Sequence, residues 1–213
     1  MKLAKIVLLM AYLYGLAASA EPVAISHFVS QSLDDWQHKS FKDYTDYRIV
    51  TQNKQSVLQA QSTAVASSLY KEVRIDLHKT PYLNWAWRVD KKPVIKDEKS
   101  KAGDDYAARI YLIVKGKWFW QTQALNYVWA NHSPKNTSWE NPFAGDNVMM
   151  LAVRSESDKT QHWYSEKRNV LADFKQQFGD DFQFIDAIAI MTDTDNSAGS
   201  ALSYYANIYF SED

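Results

Sequence analysis

The chain contains no cysteine. That absence removes disulfide frameworks, zinc ribbons, thiol catalysis, iron–sulfur clusters and a lipid-modified N-terminal Cys. It also lacks a charge excess, since 24 Lys+Arg stand against 25 Asp+Glu. A general nucleic-acid binder needs a surplus of Lys and Arg to neutralise phosphates, and none is present. After residue 20 no apolar run approaches the length of a transmembrane helix. There is no Gly-x-Ser-x-Gly elbow and no phosphate-cradling glycine loop. His27, His38, His78, His132 and His162 never fall at a paired zinc spacing. What remains, at 213 residues, 46% hydrophobic and 14% aromatic, is a folded chain with enough apolar content for one core.

The first residues read as an export signal. Lys2 and Lys5 precede an apolar run from Ile6 to Leu16, and Ala18-Ser19-Ala20 matches the small-x-small cleavage pattern. The run is short for a membrane anchor, the alternative reading. Cleavage after Ala20 is expected, with the mature chain 21–213 forming one domain in the periplasm or outside the cell. Asn131-His132-Ser133 and Asn136-Thr137-Ser138 are formal glycosylation sequons, read here as loop chemistry around Pro134.

The dominant period is two. Leu69, Val73, Ile75 and Leu77 enclose Arg74 and Asp76, and Leu83, Trp85, Trp87 and Val89 alternate with Asn84, Ala86 and Arg88. A strand from Tyr106 to Val114 is predicted to turn at Lys115-Gly116-Lys117 and return through Trp118 to Trp129. Further strands are predicted at 47–51, 57–62, 148–154, 184–192 and 203–210, with loops over 91–103 and 132–146. One segment has helical spacing: Val170, Leu171, Phe174 and Phe178 recur between Glu166 and Phe178, and Gly179 supplies a stop. The expected fold class is all-β with one packed helix, a two-sheet β-sandwich of jelly-roll, galactose-binding-like type. A closed barrel is the alternative.

The segments Pro81–Val89, Asp104–Arg109, Leu125–Trp129 and Met191–Asn196, with the helix pattern from Arg168 through Asp173 to Phe178-Gly179, resemble a bacterial family catalogued as domain of unknown function 3047. The resemblance runs from about Leu33 to Tyr209. Ser197 departs from the threonine the family pattern implies and keeps the hydroxyl. The resemblance implies a sandwich fold and brings no established activity, so no catalytic residue is carried over from it.

Three constellations could carry chemistry. Asp193, Asp195 and Asn196, in the run 191–199 ending at a glycine, offer the hard oxygen ligands that calcium prefers; the alternative is a polar turn bonding its own backbone. Asp104, Asp105 and Arg109 form the second. On a strand, Asp105 and Arg109 would share a face and Asp104 would point away, which suits a structural ion pair better than two carboxylates flanking one bond. A catalytic pair would need Asp193 or Glu140 as partner. The third is aromatic: Trp85 with Trp87, and Tyr127 with Trp129, each on one strand face, could stack on sugar rings or form the core. Trp118, Phe119 and Trp120 must place rings on both faces, and Trp139 and Trp163 are further candidates for a ligand wall.

The leading functional expectation is a periplasmic module binding a carbohydrate or another envelope component, with Asp105, Arg109 and Asn126 as hydrogen-bonding groups. A glycan hydrolase or lyase using Asp104, Asp105 and Arg109, with or without calcium, is the second. The third is a structural envelope protein docking a protein partner.

Overall fold

Period-two alternation becomes strand after strand in the computed structural model, which describes residues 20–26, 28 and 32–213. One sheet contains Val23–Ala24 (β1), Asp46–Gln52 (β3), Gln55–Thr63 (β4), Tyr82–Lys91 (β6), Tyr164–Asn169 (β11) and Ser200–Ser211 (β13). Its order is β11-β6-β13-β4-β3, with β1 paired to β13. The other contains Gln37–Lys42 (β2), Ala66–Asp76 (β5), Arg109–Val114 (β7), Gln123–Trp129 (β8), Ser138–Asn141 (β9), Gly145–Arg154 (β10) and Phe184–Asp193 (β12). These seven strands run β2-β5-β12-β7-β8-β10-β9. The chain switches sheet at every step from β4 to β7 and again from β10 to β13, which winds it as a jelly-roll sandwich. The pairing is antiparallel apart from β8 on β10, which is parallel.

The two sheets close on the alternating apolar faces. Leu83, Trp85, Trp87 and Val89 of β6 meet Leu125, Tyr127 and Trp129 of β8 in one continuous core. Val170–Phe178 (α1) packs Val170 and Phe174 against that core. Asn169 caps it by accepting the Ala172 N–H at 2.9 Å, and Gly179 ends it with φ 79°, a left-handed conformation that glycine adopts without a Cβ clash. The helix starts later than its periodicity suggested, because 164–169 pair with β6 as an edge strand.

Two strand expectations are corrected. Residues 104–108 are not in the ladder, and β7 begins only at Arg109. The Tyr106 and Ala108 carbonyls still accept the Asp193 and Trp129 N–H groups, but the Tyr106 N–H donates to the Asp193 side chain and the Tyr106 hydroxyl to the Glu98 carbonyl. The expected tight turn at Lys115-Gly116-Lys117 is instead a longer connection, 115–122, holding a 3-10 turn at Phe119–Gln121. Most of the expected signal segment, residues 1–19, lies outside the described residues, as does His27. No described helix is long and apolar enough to cross a membrane.

Candidate functional site

The aromatic faces of β6 and β8 look inward. Trp85 stacks on Tyr127 with centroids 5.4 Å apart and planes 12° apart, Trp87 meets Trp85 edge-on, and Trp129 tilts against Trp87. All four rings are buried, 0–2% exposed. Trp87 Nε1 donates to Glu166 at 3.0 Å and the Tyr127 hydroxyl to Asp173 at 2.7 Å. The ligand wall read from Trp85, Trp87, Tyr127 and Trp129 is therefore core, since the same alternation serves either purpose and the opposing sheet covers these faces. Trp139 is buried beside Tyr106 and Met150, and Trp163 packs on Tyr204.

The opposite face of the seven-stranded sheet is hollow. Small residues, Ala66 and Ser68 on β5, Ala189 on β12 and Ala124 on β8, leave a groove of about 580 Å³. Tyr70 and Tyr111 stand in it, and Phe41 on β2 and Phe143 at the β9–β10 turn flank it. Both phenylalanines are more than half exposed, and each lies under a lysine, Lys39 over Phe41 and Lys101 over Phe143.

A charge cluster forms the floor at one end. Arg109, the first residue of β7, is 2% exposed and lies between the rings of Tyr106 and Tyr111. Its Nη2 donates to Asp193, and its Nη1 is 3.6 Å from Asp104 Oδ1. Arg109 Nε and Nη1 have no hydrogen-bond partner. Asn141 Nδ2 donates to both oxygens of Asp104 at 3.1 and 3.2 Å. Burial pushes the Asp104 carboxyl up against the pull of Arg109, and burial pushes Asp193 well above the usual range, helped by repulsion from Asp104 and Asp105. Two carboxylates share one guanidinium out of water, so the pair holds a proton more tightly than ordinary aspartates do. Burial opposes the Arg109 charge, but Asp193, Tyr111 and Asp104 outweigh it and raise its pKa.

Asp105 does different work. Its Oδ1 accepts the Asn196 N–H at 3.1 Å and Asn196 Nδ2 at 3.3 Å, and its Oδ2 accepts the Ser197 N–H at 2.6 Å. It holds the 194–197 turn against the loop before β7. Oxygens of Asp105, Asp193 and Asp195 lie within 4.8 Å of one another, a span that a hard cation could bridge. The Arg109 guanidinium and the N–H donors already account for the arrangement. Asp195 and Asn196 line the groove mouth. Glu140 is exposed, on the other face of β9 from Asn141. Asn126 is buried beside Tyr111 in the β7–β8 ladder, its Nδ2 donating to Met150 Sδ.

The structure thus brings together Asp104, Arg109, Asp193, Asp195 and Asn196, and adds Tyr70, Tyr111, Asn141, Phe41 and Phe143, which sequence reasoning missed. One signal was available: Arg109, Tyr111 and Ile113 alternate with Ile110 and Leu112, a strand apolar on both faces, and such a strand is not one-sidedly solvated.

No curated protein matches the chain in sequence. Among solved structures, the fold is similar to a family 11 carbohydrate-binding module of a cellulosomal cellulase of Clostridium thermocellum, at 11% identity and TM-score 0.47 over 91% of this chain and 95% of that one. It is also similar to a family 30 carbohydrate-binding module of another cellulosomal cellulase of that organism, at 12% and 0.48 over 92% and 95%. A carbohydrate-binding module specific for non-crystalline cellulose is similar at 16% and 0.47 over 92% and 97%. The family model described as "Protein of unknown function (DUF3047)" matches residues 34–209, and the chain belongs to that family.

Proposed function

We propose that the groove on the outer face of the seven-stranded sheet binds an uncharged carbohydrate, and that the protein does so after export to the bacterial envelope. The observation that carries this reading is the groove itself: about 580 Å³ on the outer face of the sheet, with the Tyr70 and Tyr111 rings in it and the Asp104–Arg109–Asp193 cluster at one end. A sugar hydroxyl is suited to the place because it can donate to a lining carboxylate such as Asp195 and accept from a lining amine such as Lys39. The floor presents Asp104, Asp193 and Asp195 against Arg109, which disfavours a polyanion. Tyr70 and Tyr111 supply flat apolar faces with polar edges.

The test is retention on immobilised uncharged and anionic polysaccharides, with and without calcium or chelator. Retention by an uncharged polymer, lost on Tyr111→Ala with the melting temperature maintained, is the expected result. Retention is expected to be insensitive to chelator, since Arg109 already neutralises Asp193. Failure to bind any polymer overturns the reading.

A second reading, glycan cleavage, is favoured by burial raising the Asp104 carboxyl pKa at the groove floor, the direction a general acid requires. Asp105 is not available for that role, because the turn N–H groups occupy both its oxygens. New reducing ends from a retained polymer, abolished by Asp104→Asn, are its signature.

A further inference from the structure

The connection 115–122 carries two tryptophans into solvent. Trp118 is 53% and Trp120 57% exposed, and their rings lie parallel within 5° at a centroid separation of 5.5 Å. Large exposed apolar surface of this kind marks an interaction site more often than an accident of folding. The loop that holds it is fixed. Gln121 accepts the Trp118 N–H through Oε1 at 3.2 Å and donates its own N–H to the Trp118 carbonyl at 3.0 Å. Gly116 approaches Gln121 so closely that a Cβ would sit 2.4 Å from Gln121 Cβ and 2.5 Å from its carbonyl carbon. The indoles are therefore presented by a defined turn.

The base of this loop is continuous with the groove. A second depression, of about 720 Å³, includes Lys115 and Gly116 of the loop in its lining. It shares Lys39, Tyr70, Ile113 and Thr122 with the groove. The charge cluster and the tryptophans lie at opposite ends of β7, because Arg109 opens the strand and the loop follows Val114. From Arg109 to Lys115 the backbone covers about 20 Å. A single sugar cannot touch both ends; a chain of sugars lying along the strand can.

We propose that Trp118 and Trp120 form a distal stacking platform of the same groove, so that the natural ligand is an extended, uncharged polysaccharide rather than a mono- or disaccharide. The proposal rests on the groove being the carbohydrate site, and it assigns the polymer's far end to the indoles.

The experiment is titration of the protein with β-glucan, xylan, mannan and dextran and with their di- to hexasaccharides, read by heat and by tryptophan fluorescence. Affinity is expected to rise with chain length. The double variant Trp118→Ala/Trp120→Ala is expected to lose about tenfold for the longest ligands, with little change for disaccharides and an unchanged melting temperature. Tyr111→Ala, by contrast, is expected to weaken short and long ligands alike. Length-dependent binding undiminished in the double variant overturns the platform while leaving the groove reading intact. Equal affinity for short and long ligands does the same. Binding to none of the sugars overturns both, and capture of lipid vesicles that disappears in the double variant would then assign the indoles to a membrane surface.

Discussion

Asp105 accepts the backbone N–H of Ser197 at 2.6 Å across a sequence separation of 92 residues, which ties the loop before β7 to the turn after β12. The same carboxylate accepts from Asn196, so this tie involves three N–H donors in all. Asp105→Ala is expected to lower unfolding stability by about 1–3 kcal/mol, because it removes the buried carboxylate's charge-assisted hydrogen bonds to part-buried N–H groups of the turn. Asp105→Asn is expected to cost less, since one oxygen still accepts. Urea denaturation of both variants measures this, and an unchanged midpoint in Asp105→Ala would remove the anchoring role.

The buried and exposed tryptophans are expected to separate cleanly by mutation. Trp85→Ala opens a cavity against Tyr127 and Trp87 and should cost about 3–5 kcal/mol, with Trp85→Phe as the milder variant if the first does not fold. Trp118→Ala removes a ring more than half exposed and should change stability by about 0.5 kcal/mol or less. Thermal or urea unfolding decides, and equal losses at the two positions would contradict the core assignment.

Asp173 joins helix to sheet. It accepts the Tyr127 hydroxyl at 2.7 Å and receives Arg168 through Nε at 2.9 Å and Nη2 at 2.6 Å. Asp173→Ala leaves Arg168 partly buried without its counter-charge and the Tyr127 hydroxyl without its acceptor, and is expected to cost about 3–5 kcal/mol. Tyr127→Phe removes one bond and should cost about 1 kcal/mol. If the first costs no more than the second, the ion pair is not what holds α1 in place.

Asp104 and Asp193 give the stability a definite pH dependence. Burial raises both carboxyls above their ordinary value, so the folded state holds protons that the unfolded chain has released. Their contribution is complete below the unfolded carboxylate pKa of about 4 and is lost as pH rises through the folded values. The melting temperature of the wild type relative to Asp104→Asn is therefore expected to fall as pH rises above about 4, the unfolded carboxylate value. A difference that is flat or rises with pH would show that burial does not raise the Asp104 carboxyl in the folded state.

Much of the sandwich was legible because alternation is a local property. The face Leu83, Trp85, Trp87, Val89 and the helix spacing of Val170, Phe174 and Phe178 each follow from the repeat of one secondary structure. Residues 106–108 depart from the predicted strand for the complementary reason. Their composition suits a strand, but the Tyr106 N–H donates to the Asp193 side chain and the neighbouring Asp105 carboxylate accepts the 196–197 turn, side-chain bonds between residues 87 to 92 positions apart that no local period announces. Short edge strands such as Ser138–Asn141 carry too few residues for a period to register.

The residues alone determined the sandwich class, the packed helix with its glycine stop, and the family. They named Asp104, Arg109, Asp193, Asp195 and Asn196 without saying that these meet. Only the tertiary structure decided that the Trp85–Tyr127 stack is core and that the groove lies on the outer face of the seven-stranded sheet. The physical reason is that a strand's period assigns side chains to two faces, while which face is covered depends on what the rest of the chain packs against it.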